Sequence, residues 1–168
     1  ARSAWLVRTA QAAMYSAKAM GKNTYCYYDE NINESLMAKI ELQSELRNAL
    51  HNEEFAVFYQ AQIDLKCDKI VGFEALVRWI HKEKGLIAPG GFVQVAEETG
   101  LIVPIGRWVL FEACKQLKRW EEEGYNDISI AVNLSARQFK DADIVAMVNE
   151  AIEETKIDPD KLDLEITE

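Results

Sequence analysis

The stretch Phe73-Glu74-Ala75-Leu76-Val77-Arg78-Trp79 decides the fold, because the two-residue period of a β-strand sorts it into two chemically distinct faces. Extended back to Ile70 the run contains no proline. Val71, Phe73, Ala75, Val77 and Trp79 point one way; Gly72, Glu74, Leu76 and Arg78 point the other. The apolar side needs a helix layer or a core against it. Taken alone, Glu74 and Arg78 read as the polar back of an ordinary half-buried strand.

Two later segments repeat the arrangement. In Asp127–Ser135, Ile128, Ile130, Val132 and Leu134 oppose Ser129, Ala131, Asn133 and Ser135; in Lys161–Glu168, Leu162, Leu164 and Ile166 oppose Asp163, Glu165 and Thr167. Helical patterns separate these runs, so consecutive strands are expected to be parallel, with their apolar faces under helices and their polar faces turned inward. A closed (β/α) barrel gives parallel strands such an interior and places function at their carboxyl ends. Glu74, Asn133 and Glu165 thereby become candidates for one site.

EALVRW at Glu74–Trp79, NLS at Asn133–Ser135 with Arg137, Gln138 and Phe139 behind it, and EITE at Glu165–Glu168 together resemble the EAL-type cyclic di-GMP phosphodiesterases. FVQVAEETGLI at Phe92–Ile102, followed by Ile105-Gly106-Arg107-Trp108-Val109-Leu110, is similar to the family's segment between its second and third strands. Tyr59-Gln60-Ala61-Gln62-Ile63 resembles its first strand, with Ala61 where proline is common. The resemblance implies an α/β fold, the amino-terminal part of a (β/α)8 TIM-like barrel. It also implies cyclic di-GMP as substrate, linear pGpG as product, and a homodimer through the EAL domain.

The amino-terminal residues carry a second resemblance. Ala10–Lys18, running into Met20-Gly21-Lys22-Asn23 and Tyr25, is similar to the tail of a GGDEF-type diguanylate cyclase domain. Gln11 stands where an aspartate is usual and the signature loop is absent, so cyclase activity does not reside in these residues. Lys18 and Lys22 match phosphate-contacting positions of that family, but lysines near a helix C-terminus have a dipole rationale of their own. The expected organisation is a GGDEF remnant over 1–32, an interdomain helix over 33–52 and the amino-terminal half of an EAL domain over 53–168. The chain starts with alanine, ends inside a motif and falls short of the roughly 250 residues of a complete barrel, so it reads as a piece of a longer protein, inactive alone.

Glu74, Asn133 and Glu165 offer only oxygen donors, which suits Mg²⁺ or Mn²⁺ rather than zinc; His51 and His81 show no ligand spacing. One or two divalent ions there, with further carboxylates, would polarise a phosphodiester and activate water. Arg78 is the expected phosphate contact, since a guanidinium fork matches phosphate oxygens. Leu76 shares its face, and Gln60 is either a substrate contact or a packed strand glutamine. Asp163 and Glu168 are read as supporting the ligands from behind. Besides the enzyme, two readings stay open: a catalytically inactive cyclic di-GMP receptor, and a dimerising interaction module.

The net charge of −9 repels a dianionic ligand at large, so the site needs cations or Arg78, and generic binding of DNA or RNA by a basic face is excluded. With 168 residues, 49% of them hydrophobic, a sizeable core can form. Cys26, Cys67 and Cys114 form no CxxC pair, which points to a reducing, cytoplasmic setting. No apolar run is long enough for a membrane span, so no membrane contact is expected from this segment, and any membrane anchor of the parent protein is expected outside it.

The remaining elements follow from punctuation. Helices are expected over Leu6–Met20, capped by Gly21; over Glu34–His51, capped by Asn33; over Phe92–Thr99, ended by Gly100; from Pro104 to Glu123; and over Ser135–Thr155. Asn23–Tyr28 reads as a short aromatic strand, which leaves four strands after Glu53. Trp108, Val109, Cys114, Leu117 and Trp120 lie at core spacing, Glu121-Glu122-Glu123 reads as a solvated helix end, and Asp141 and Asp143 as caps.

Overall fold

The computed structural model describes residues 2–19, 23–28 and 30–167. The chain divides into two units, Ala1–Glu45 and Leu46–Glu168. In the first, α1 (Arg2–Ala19) buries Thr9, Ala12 and Ala17. The residues that follow do not form the expected aromatic strand. Over 23–28 the backbone pairs with no strand among the described residues, and Tyr25 and Tyr27 are exposed, edge to face with ring centroids 5.7 Å apart. Alternation of aromatics cannot make a strand where no neighbour takes its backbone groups. Cys26 ties the segment down by donating to the Ala13 carbonyl at 2.8 Å. Gly21 and Lys22 lie outside the described residues.

Helix α2 (Glu30–His51) starts before the Asn33 cap predicted for it, so Asn33 lies within the helix. Leu46 and Ala49, in its last turns, are fully buried in the second unit, whereas Ile40 is exposed.

The second unit is built on one sheet. β1 (Phe55–Asp64) and β2 (Lys69–His81) form an antiparallel hairpin from Phe55↔Trp79 to Asp64↔Lys69. The turn 65–68 between them is too short for a crossover, so this pair is antiparallel where a barrel of parallel strands was anticipated. Asp64 closes the turn by accepting from the Lys66 N–H at 2.8 Å. A short β3 (Gly85–Ile87), which alternation had not revealed, pairs with the end of β2. β4 (Ser129–Ser135) runs parallel to β2, and β5 (Leu162–Thr167) parallel to β4, as the intervening helices require. The order is β1-β2-β4-β5, with β3 on β2.

The helices differ from expectation in their ends. A 3₁₀ turn (Pro89–Gly91) leads into α3 (Val93–Thr99), which stops at left-handed Gly100, φ 81°. α4 (Ile102–Glu122) begins two residues before Pro104, because a proline in the first turn forfeits only an N–H that has no helical partner. The single helix expected after Ser135 is two, α5 (Ala136–Asp141) and α6 (Ile144–Thr155), separated by extended Ala142. Asp143 caps α6 by accepting from the Ala146 N–H at 3.0 Å.

The core lies between one face of the sheet and α4. Ile105, Val109, Leu110, Ala113, Cys114 and Leu117 bury against a face that carries Phe55, Ala75, Trp79, Ile130, Val132 and Leu134. Burial pushes the Cys114 thiol up to about 11, so it is packing rather than a nucleophile. Trp120 stacks on Phe73 at 4.6 Å and meets Tyr59 edge-on at 5.0 Å; Trp108 sits 6.2 Å from Phe55. Burial there raises Tyr59 to about 12. Glu121 corrects the reading of a solvated triplet: it accepts from Lys161 at 2.8 Å and Lys118 at 3.3 Å, while Glu122 and Glu123 remain exposed. Those lysines, Lys161 first, hold its carboxyl below the usual range.

Candidate active site

The opposite face of the sheet gathers the polar residues, and the strand register says how. Gln60 pairs with Glu74, Glu74 with Ala131 and Ala131 with Asp163, which makes one row across four strands. Paired residues share a face, so Gln60, Glu74 and Asp163 point the same way. Two residues further along the parallel strands, Asn133 pairs with Glu165; on the hairpin, Phe58 pairs with Leu76 and Ala56 with Arg78.

Asn133 and Glu74 are joined across the strands. The Asn133 amide Nδ2 donates to Glu74 Oε1 at 2.7 Å, which leaves Asn133 Oδ1 and Glu74 Oε2 unused by that bond. With the carboxylate of Glu165 beside Asn133, the trio presents oxygen donors only. Among the described residues no group of three or more His, Cys, Asp and Glu side chains gathers closely enough to hold a metal. Two carboxylates and an amide, with no histidine among them, are nonetheless the donor types that a hard, oxygen-preferring cation takes. His81 is used otherwise: its Nδ1 accepts from the Glu83 and Lys84 N–H groups, both at 3.1 Å, in the β2–β3 turn.

The other candidates take less uniform positions. Arg78 is half-buried, donates through Nη1 to the Val77 carbonyl at 2.9 Å and lies 5.7 Å over the Phe58 ring. Leu76 is half-buried opposite Phe58, and Gln60 and Asp163 are exposed in the row of Glu74. Glu165 is exposed. Glu168 lies outside the described residues.

A cleft opens beside the trio because two strands part company. Pairing of β2 with β4 ends at Ala75↔Val132, after which β2 continues to His81. The cleft there, about 320 Å³, is lined by Glu74, Leu76 and Asn133 and by Ile105, Gly106 and Gln138. Gln138 is fully buried. Its Oε1 accepts from the Ser135 N–H at 2.9 Å while Ser135 Oγ accepts from Arg137, a capping box that ends β4 and starts α5 two residues beyond Asn133. Gln138 Nε2 has no hydrogen-bond partner among the described residues, and a Cβ on residue 106 would collide with it. The signal for this brace, Ser-x-x-Gln directly after a strand, was in the sequence. The signal for Phe58, an aromatic two residues from Gln60, was there too, but neither residue stood out without the register.

A family model for the EAL domain matches residues 43–168. The chain belongs to that family. Among curated proteins, this EAL chain is 44% identical to the bifunctional diguanylate cyclase/cyclic di-GMP phosphodiesterase MucR of Pseudomonas aeruginosa, over 97% of this chain and 24% of MucR. It is 37% identical to the cyclic di-GMP phosphodiesterase PdeR of Escherichia coli, again over 97% of this chain and 24% of the relative. The chain thus spans about a quarter of the length of these relatives. Among solved structures it resembles the PaMucR phosphodiesterase in complex with c-di-GMP, at 45% identity and TM-score 0.73, over 76% of this chain and 52% of that one. No helix among the described residues is long and apolar enough to cross a membrane.

Proposed function

We propose that residues 53–168 are the amino-terminal part of a (β/α)8 EAL barrel that binds cyclic di-GMP and, when the barrel is complete, hydrolyses one of its phosphodiesters to give linear pGpG. The observation that carries this reading is the 2.7 Å bond from Asn133 to Glu74, with Glu165 paired to Asn133, on the face opposite the core. Support comes from relatives and a structural neighbour whose names describe cyclic di-GMP phosphodiesterases.

Glu74, Asn133 and Glu165 would hold Mg²⁺ or Mn²⁺ by their oxygens. Such an ion supplies Lewis-acid polarisation of the phosphodiester and lowers the pKa of an attacking water. Asn133 keeps the Glu74 carboxylate oriented through its N–H, and Gln138, through the capping box, fixes the strand end that carries Asn133. Arg78 engages a phosphate oxygen, with Leu76 and Gln60 against the rest of the dinucleotide. Asp163 and Glu168 support the ligands. The protein acts in the cytoplasm, as a homodimer through this domain.

The residues before the barrel are proposed as the carboxyl-terminal remnant of a GGDEF domain over 1–32, followed by an interdomain helix over 33–52. In support, the match to MucR covers 97% of the chain, more than residues 43–168 alone, and MucR's name joins a cyclase to a phosphodiesterase.

Chromatography of cyclic di-GMP incubated with Mg²⁺ or Mn²⁺ tests the reading. The chain alone is expected to give no turnover. The protein carrying the complete domain is expected to release pGpG, with more than about a 100-fold loss in Glu74→Gln, a floor set by what changes behind a metal ligand already cost. Retained cyclic di-GMP binding without turnover in the complete protein would make the domain a receptor instead.

A further inference from the structure

Phe58 is misplaced for a core residue. β1 sends Phe55 and Val57 toward the packed face, where Phe55 is buried among Trp79, Phe92 and Trp108. Phe58 faces the other way, in register with Leu76 and two residues from Gln60, on the side that carries Glu74 and Asp163. It is 46% exposed even with the Arg78 guanidinium 5.7 Å from its ring centroid. An open aromatic ring beside an arginine, on the face that also carries Gln60, Glu74 and Asp163, has the composition of a nucleobase platform: bases stack on aromatic rings, and arginine adds both a planar surface and charge for the adjoining phosphate.

Resting on the cyclic di-GMP reading, we propose that the Phe58 ring stacks against a purine base of the bound dinucleotide while Arg78, held over the same ring, meets the neighbouring phosphate. Phe58 is then a specificity residue for a base-bearing diester. Its partner Leu76 forms the adjoining apolar wall, since the two residues are paired across the hairpin. The guanidinium is already oriented by the Val77 carbonyl at 2.9 Å, so the ring need not be what holds it.

The test is cyclic di-GMP affinity in the protein carrying the complete domain, for wild type, Phe58→Ala, Phe58→Leu and Phe58→Tyr, together with a search for an intermolecular NOE between the Phe58 ring protons and guanine H8. The Ala variant is expected to bind about fivefold or more weakly, the Tyr variant within about twofold of wild type and the Leu variant in between, since base stacking on one ring is worth at least that much. An observed NOE supports the contact directly. Affinity unchanged in Phe58→Ala overturns the proposal. A loss of affinity with no NOE in wild type also overturns it, because the ring would then act only by propping Arg78. A wild-type protein that does not bind cyclic di-GMP at all sinks the underlying reading instead, and that outcome is seen before any Phe58 variant is made.

Discussion

β4 and β5 are paired from Ile130↔Leu162 to Ser135↔Thr167 and carry the same alternation, yet they live in different surroundings. Ile130, Val132 and Leu134 are fully buried, whereas Leu164 is 38% and Ile166 64% exposed. The difference is α4, which lies over β4 and packs against α6 beside it. The pattern of a strand states which side is apolar; the helix above it decides whether that side is core.

The comparison can be broken most sharply at Leu134. Leu134→Ala should destabilise by about 2–5 kcal/mol in urea unfolding, the range for truncating a packed leucine. A loss below about 1 kcal/mol would mean that α4 does not seal β4 as described. Next in size is Gly106→Ala, which tests the helix from the other side: the added methyl drives into Gln138, and overpacking of this kind costs about 1–3 kcal/mol. An unchanged midpoint would show that Gln138 moves aside freely and braces nothing. Ile166→Ala, on the open strand, should cost no more than about 0.5 kcal/mol. A cost equal to that at Leu134 would mean that something covers β5 in solution.

The smallest effect is electrostatic and tests how β5 is tied to α4 at all. Glu121, at the end of α4, accepts from Lys161, just before β5. Its carboxyl sits below the ordinary 4.5 in the folded chain, so the tie contributes stability that is present above pH 4.5 and is lost as pH falls through the lowered value. Glu121→Gln should therefore narrow its stability gap to wild type as the solution is acidified below 4.5. A gap that is constant with pH would show that the contact is not an ion pair of consequence.

How much of this was legible beforehand follows the same division. The faces of β2, β4 and β5 were readable because a two-residue period is written in the residues themselves, and so Glu74, Asn133 and Glu165 were placed on one side without coordinates. What alternation could not supply was the neighbour. The aromatic run 23–28 has the right residues but no partner strand among the described ones, β3 is too short for any period, and Glu121 reads as solvated until Lys161 arrives from forty residues away. The Ser135–Gln138 capping box went unread although Ser-x-x-Gln stands in the sequence, and its relation to Gly106 depends on two helices meeting. Phe58 shared a face with Gln60 in sequence, but its exposure was decided by which side α4 occupies.

The bond between Asn133 and Glu74 spans 59 residues of chain, whereas the turn of the β1–β2 hairpin closes between Asp64 and Lys69. Loop-closure entropy rises with the length enclosed, and non-local pairings are slow to form. The hairpin can thus hold Glu74, Leu76, Arg78 and Phe58 together early on the folding route, while Asn133 must wait for α3, α4 and β4 to be in place. The same asymmetry applies to local opening of the folded chain: if β4 detaches, half of the site dissolves and the hairpin half persists. Any chemistry that needs Asn133 beside Glu74 is therefore coupled to completion of the fold, and an immature chain can carry the Phe58 ring and Arg78 well before it carries the pair.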